Sequence, residues 1–178
     1  MKMKIGIVLP QSTLYPLIGH QFTNGLRSCA ALLEIPDIEI EFVIKDAGLG
    51  DDRSISEAAN MLILQDQVDV ITGLITNEAF GENRNLFHQT QVPVIAANLG
   101  AKVQHGEEPS PYMFCTSLNL WQSCYFLGKW AVETYGKKTV LASSFYDGGY
   151  SMGFGFSEGF MGEGGELMGH YITAHATR

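Results

Sequence analysis

The sequence predicts an α/β fold built on a doubly wound parallel sheet. Three observations carry this. Short apolar runs alternate with segments of helical period along the chain. Residues 69–99 read as a strand, a turn, a helix and a second strand, the βαβ unit whose crossover is almost always right-handed. Residues 38–45 alternate with a period of two: Ile38, Ile40, Phe42 and Ile44 on one face, Glu39, Glu41, Val43 and Lys45 on the other. That pattern is a strand with one well-buried face. In such sheets ligands sit at the carboxyl ends of the strands, against helix N-termini. Two such ends arise here, residues 74–77 and 96–100, and they are expected to form one wall of a small-molecule site.

The elements follow in order. Residues 4–10 (KIGIVLP) are a first strand, and 11–17 a loop containing Ser12, Thr13 and Tyr15. Pro16 suits the first turn of the next helix, where its missing N–H costs nothing. That helix runs to about Leu33, with Phe22, Leu26, Ala30 and Leu33 at helical spacing, until Pro36 and Asp37 break it. After the strand at 38–45 comes a turn-rich loop, 46–53. Ser54 then caps a helix, with Glu57 completing a capping box and Ala58, Met61, Leu62 and Leu64 as its core side. In the 69–99 unit, Thr76 and Asn77 are favoured N-cap types, and Glu78 places a negative charge where the macrodipole favours it. The helix ends near Thr90, before the strand Val92-Pro93-Val94-Ile95.

Beyond Leu99 the pattern changes. Residues 100–111 are a long loop with Gly106, Pro109 and Pro111, and 112–118 are strand-like. Asn119 is placed to cap a long helix over 120–135, which Gly136 ends. Residues 139–145 are another strand, 146–165 a glycine-rich stretch, and 167–174 a last strand candidate. The change near 118–119 is the expected domain boundary: 1–118 as a first lobe, 119–178 as the start of a second, incomplete one. A remnant of two strands and two helices buries too little surface to stand alone, so the chain is expected to be a fragment or truncated product.

The 178 residues are 46% hydrophobic and 17% charged, which fits a globular core and allows one or two domains. A formal net charge of −8 argues against a nucleic-acid or anionic-membrane surface, which needs clustered Lys and Arg. No apolar run approaches the ~18 residues of a membrane span, so no direct insertion is expected. The apolar run 5–9 behind Lys2 and Lys4 is too short for a signal peptide. A cytoplasmic protein or a mature form with a start Met follows.

Catalytic and cofactor chemistries find little support. Cys29, Cys115 and Cys124 lack metal-ligand spacing and are expected as buried thiols. His170 and His175 fall on opposite faces of strand-like sequence, and His20, His88 and His105 are scattered, so no metal site is expected. Glycines 153, 155 and 159 are spaced GxGxxxG, not the GxGxxG of a dinucleotide fingerprint, and no cofactor is expected. There is no GxSxG elbow and no His partner for Cys115, so no catalytic residue is assigned. Trp121, in the first turn after the boundary, reads as core.

Six stretches taken in order resemble the leucine/isoleucine/valine-binding branch of the type I periplasmic binding proteins. They are KIGIVLPQS with its following helix, the Asp46 loop, DVITGLITNEAF, VPVIAAN, YMFCTS before a long helix, and TVLASSFYDGGYSMGF. The resemblance covers nearly all of this chain and about the first half of a usual member. It implies a two-lobed, Rossmann-like α/β receptor in the periplasm or cell envelope. Such a receptor closes on an amino acid, or a related small amide or acid, and delivers it to an ABC-transporter permease. Hinge candidates lie near 99–112 and 118–119. Carried over, Ile75 and Thr76, then Asn98 and Gly100, bind the ligand's carboxylate. Tyr150 is the second-lobe aromatic, and Ile18 lines the side-chain pocket. Ala96-Ala97-Asn98 stands where relatives often carry Ser-Pro, and the later segment with the acidic residue for the ligand's ammonium is not present. A cytoplasmic ligand-sensing regulatory domain of the same fold is the alternative, and a small α/β enzyme a third reading.

Overall fold

A computed structural model describes residues 2–11, 16–33, 38–100, 110–144 and 147–173, with backbone alone at 144, 147–151 and 173. The readings made on Ser12, Thr13, Tyr15, Pro36, Asp37, Gly106, Pro109, His105 and His175 lie outside the described residues. The chain divides into two compact units, Met1–Asn98 with Glu108–Thr116, and Leu99–Glu107 with Ser117–Arg178.

The first unit is a mixed α/β layer structure on a largely parallel sheet. Its strands are β1 (Lys2–Leu9), β2 (Glu39–Asp46), β3 (Val70–Leu74), β4 (Val94–Asn98) and β5 (Met113–Ser117), in the spatial order β2-β1-β3-β4-β5. β1 pairs in parallel with both β2 and β3, and β3 pairs in parallel with β4. The connecting helices are α1 (Ile18–Leu33), α2 (Asp52–Asn60, with a final wide turn at Met61–Gln65), α3 (Asn77–Glu82) and α4 (Arg84–Thr90). The core joins Val8, Ile55, Leu62, Ile71, Ile75, Phe87 and Val94. These come from central strands and from the inner faces of α2 and α4, the apolar periodicity that the sheet and helices demand.

Several local expectations are corrected. Asp51, not Ser54, is the N-cap of α2: its carboxylate accepts the Ser54 N–H at 3.0 Å and the Ser54 hydroxyl at 2.8 Å. Glu57 instead pairs with Arg53 at 2.8 Å. Pro16 lies in a turn ahead of α1, not in its first helical turn. Among the described residues β2 is an edge strand, and neither of its faces holds a fully buried residue: Val43, read on the polar face, packs on the core, while Ile44, read on the buried face, is exposed. Leu33 and Leu64, read as core, are 61% and 71% exposed. The 77–90 helix is two helices. Asn83 breaks it, because its buried side-chain amide donates to Ala79 O and to Asp52 O of α2, both at 2.9 Å. None of the three cysteines is buried: Cys29 lies on the exposed side of α1, Cys115 on the border strand β5, and Cys124 is half-buried.

Hydrogen bonds from Ser54 hold the Asp51 carboxyl below its ordinary value. A carboxylate depressed on folding stabilises above the unfolded pKa and loses that contribution as pH falls through the folded one. Asp51→Ala is therefore expected to lower the melting temperature at pH 7. The gap to the parent should close as the pH drops below about 3.8. A gap that persists unchanged in acid melts would show that the carboxylate is not the capping group.

The second unit holds α5 (Leu120–Tyr135), α6 (Asp147–Gly162) and the parallel pair β6 (Lys138–Ser144) and β7 (Glu166–Thr173). The glycine-rich stretch is thus a helix, and its glycines serve packing. An added Cβ at Gly159 would lie 1.9 Å from Tyr125 O, and at Gly155 2.8 Å from Trp121 O. From the other side, a Cβ at Gly128 would lie 2.2 Å from Phe156 O. The two helix backbones meet along this seam. Around it Ala131, Val132 and Phe160 form a small core, with the Phe156 ring stacked on Phe160 at 5.6 Å. Trp121 is half-buried and stacks on Tyr125 at 5.6 Å.

Candidate functional site

β3 and β4 run parallel with Leu74 opposite Ala97, so their carboxyl ends finish side by side. The Ile75 N–H extends the ladder by donating to Ala97 O at 3.2 Å. The chain then turns into α3. Thr76 is the N-cap, extended at φ −61° and ψ 158°, and its Oγ1 accepts the Ala79 N–H at 3.1 Å. Glu78 sits in the first turn, where the helix dipole favours an acid.

Asn98 ends β4 and ties three segments together. Its Nδ2 lies 3.3 Å from Ile75 O, 3.3 Å from Asn77 Oδ1 and 3.1 Å from Cys115 Sγ. All three neighbours act as acceptors, which sets the amide with its nitrogen toward them. Asn98 therefore touches both residues that flank Thr76, and the two strand ends form one polar ledge. Cys115, read only as a thiol without a His partner, belongs to this cluster. Its place at the strand-like 112–118 was the available signal.

The remaining candidates fall differently. The Ile75 side chain is 1% exposed and part of the core, and its N–H and C=O are both bonded within the protein. It shapes the ledge from beneath. Gly100, in the second unit, is buried with φ +87°. A Cβ there would approach Asn119 N and Cα at 3.0 Å, so the close turn needs glycine. Its carbonyl accepts the Trp121 N–H at 3.3 Å, and Leu99 O accepts the Leu120 N–H at 3.0 Å. These carbonyls meet the first amides of α5. Asn119 does not cap with its side chain: it is left-handed at φ 52°, and its Oδ1 accepts the Ser117 hydroxyl at 2.7 Å. Tyr150 lies in the first turn of α6, with its side chain outside the described residues.

Ile18 opens α1 and lines a cavity of about 580 Å³ in the first unit. The cavity lies between α1 and the carboxyl ends of β1 and β2, bordered by Leu9, Arg27, Ile44 and Asp46. Of these, sequence reasoning assigned only Ile18 to a ligand pocket; Ile44 was read as strand core, the Asp46 loop entered only through the resemblance, and Arg27 looked like part of a solvent face. Among the described residues no group of three or more His, Cys, Asp or Glu could hold a metal ion, and no helix is long and apolar enough to cross a membrane.

A family model described as a periplasmic binding protein matches residues 2–177. The Leu/Ile/Val-binding protein homolog 6 of Brucella abortus (strain 2308) is 24% identical over 168 residues, which are 93% of this chain and 43% of that relative. A solute binding protein of an ABC transporter from Rhodopseudomonas palustris BisB5, solved in complex with 3,4-dihydroxy benzoic acid, is 27% identical. Its TM-score is 0.82 over 97% of this chain and 47% of its own. An R. palustris solute binding protein in complex with 4-hydroxybenzoate is 26% identical, with a TM-score of 0.82 over 99% and 48%. A leucine binding protein from Thermotoga maritima MSB8, 17% identical with a TM-score of 0.73 over 97% and 49%, shares the fold. The chain thus spans less than half the length of the curated relative and about half of each solved one.

Proposed function

Since the chain belongs to the periplasmic binding protein family, we propose that it is the ligand-gripping portion of an ABC-transporter solute receptor that takes a small organic acid or amide. The observation that carries this is the ledge where Asn98 bridges Ile75 and Asn77 around Thr76. Thr76 Oγ1 already accepts from Ala79, so its hydroxyl proton is the part offered to a ligand oxygen. Residues 1–118 are the ligand-binding lobe in this reading and 119–178 the start of another. Ile18, Gly100 and Tyr150 are further ligand contacts by the resemblance. The reading makes the protein extracytoplasmic, a partner of a permease, and a binder without catalysis.

Two relatives solved with hydroxybenzoates favour an aromatic acid as ligand. The name of the curated relative favours a branched-chain amino acid. Calorimetric titration of the full chain with hydroxybenzoates, benzoate, leucine, isoleucine, valine and their amides separates the two. One charge-assisted hydrogen bond is worth about 1.5–3 kcal/mol, so Thr76→Val is expected to weaken binding about tenfold to a hundredfold. Valine also removes the helix cap. Thr76→Asp keeps a capping oxygen but sets a negative charge against the acid, so it should lose binding while retaining the melting temperature. Unchanged affinity in Thr76→Asp would overturn the assignment.

A further inference from the structure

We propose that the hollow between the last turns of α5, the second half of α6 and the start of β6 binds a small neutral aromatic molecule bearing one hydroxyl or N–H group. It is lined by Leu127, Trp130 and Tyr135 of α5, Phe156 and Phe160 of α6, and Thr139 of β6. Its volume of about 270 Å³ exceeds the ~150 Å³ of an apolar cavity that takes up benzene. It sits at the amino end of β6, whereas open α/β sheets hold their ligands at the carboxyl ends. Tyr150 stands in the first turn of α6 and Phe160 near its other end, about 15 Å apart along the helix axis. The hollow is therefore no part of the ligand site proposed above.

The walls are aromatic and held in place by the fold. Phe160 is 2% exposed, and the Phe156 ring stacks on it at 5.6 Å and 17°. Trp130 meets Tyr135 edge to face, at 5.3 Å and 89°. Single exposed apolar side chains are normal on a protein surface, but here Leu127, Trp130 and Tyr135 surround one hollow. The α5–α6 seam does not need them, since it closes on Gly128 and Val132. Apolar side chains gathered at a concavity mark a ligand surface.

Two groups set the chemistry. Lys138 is the one charged residue of the lining among the described residues, and its Nζ pairs with Glu166 Oε2 at 3.9 Å. Its charge is thus balanced, and a charged ligand would be desolvated against aromatic rings with no free counter-ion, which is costly. The ligand is therefore neutral. Thr139 is half-buried, and its hydroxyl has no hydrogen-bond partner among the described residues. A hydroxyl donates one bond and accepts two, so it answers a phenol O–H or an indole N–H equally well. An aromatic ring gains over an aliphatic one of equal size, because its face and edge complement the quadrupoles of the four rings around it.

The test is a titration of the ¹⁵N-labelled full chain with phenol, toluene and cyclohexanol, followed by amide and indole N–H shifts. Saturable shifts over residues 130–139 are expected with phenol, which should bind about fivefold more tightly than cyclohexanol. Trp130→Leu keeps apolar bulk at a half-exposed helix position, so it should weaken phenol about fivefold at an unchanged melting temperature. Thr139→Val, of the same shape, should weaken phenol about fivefold and leave toluene unchanged. Shifts at residues 76–79 and 98 under benzoate report the ledge, which neither variant touches. A chain that answers benzoate there but shows no saturable phenol shifts over 130–139 would overturn the hollow and leave the ledge standing. Equal affinity for phenol and cyclohexanol, or parental phenol binding in Trp130→Leu, would overturn the aromatic site. Parental phenol binding in Thr139→Val would overturn the role of its hydroxyl.

Discussion

Gly159→Ala is expected to unfold the second unit at temperatures where the parent is intact. The added methyl would sit 1.9 Å from Tyr125 O, a backbone atom that no rotamer change can move aside. α5 and α6 must separate, and the stacked Phe156–Phe160 pair beside the seam loses its fit. Overpacking ordinarily costs about 1–3 kcal/mol, and a backbone collision falls at or above the top of that range. For a small unit, 1 kcal/mol moves the midpoint about 4–8 °C, so a loss on the order of 10–20 °C is expected. The chain's two tryptophans, Trp121 and Trp130, both lie on α5, so tryptophan fluorescence follows this unit specifically. Gly162→Ala is the control: nothing lies within 4 Å of its added Cβ, and its melt should overlay the parent or rise slightly. Coincident melts for Gly159→Ala and Gly162→Ala would mean that the helices do not meet backbone to backbone.

That seam also shows where sequence reasoning stops. Glycine carries the poorest helix propensity after proline, so the residues alone assigned no element to 146–165, and only the resemblance pointed to a loop followed by a helix. Close approach of two helices overrides propensity, and it depends on residues some 30 positions away, at Gly128 and Tyr125. The parallel order of β3 and β4 was legible because a short apolar run, a capped helix and a second run leave few alternatives. α5 spans the Leu120–Tyr135 expected from the flanking Asn119 and Gly136, though its N-cap does not use the Asn119 side chain. Capping at α2 was ambiguous: Asp51 and Ser54 are both good caps three residues apart, and the loop geometry, with Gly48 and Gly50 at positive φ, selects Asp51. At the ledge, Thr76 and Asn98 could be placed at neighbouring strand ends from the pattern alone. The bond from Asn98 to Cys115 could not, because it requires β5 to lie beside β4 across a long loop. The cavity beneath Arg27 was invisible for a different reason. Periodicity marks what a helix buries, not what it leaves open.

The second large effect is expected at Phe87, the anchor of the helix pair behind the ledge. Its ring is fully buried on α4, in the core with Ile71 and Val94 of the central strands, and meets Phe80 of α3 at 6.1 Å. Emptying such a site costs transfer energy plus a cavity, about 3–5 kcal/mol for Phe→Ala. A domain with 5–15 kcal/mol in total keeps little in reserve after that loss. Phe87→Ala should therefore shift the far-UV melt by on the order of 10–20 °C, while Phe87→Leu, which refills most of the volume, loses far less. The consequence reaches the ledge through covalent continuity. Thr76 caps the α3 that α4 continues, and Asn83 at their junction holds Asp52 O of α2. When α4 loosens, the fraction of molecules with an ordered Thr76 cap falls, and apparent affinity falls with that fraction. A solute that binds the ledge should then show a larger affinity loss at 37 °C than at 10 °C, since cooling refills the folded population without altering the contacts. A Phe87→Ala protein that melts with the parent would remove Phe87 from the core. One that melts early yet binds with parental affinity at 37 °C would show that the ledge does not depend on α4.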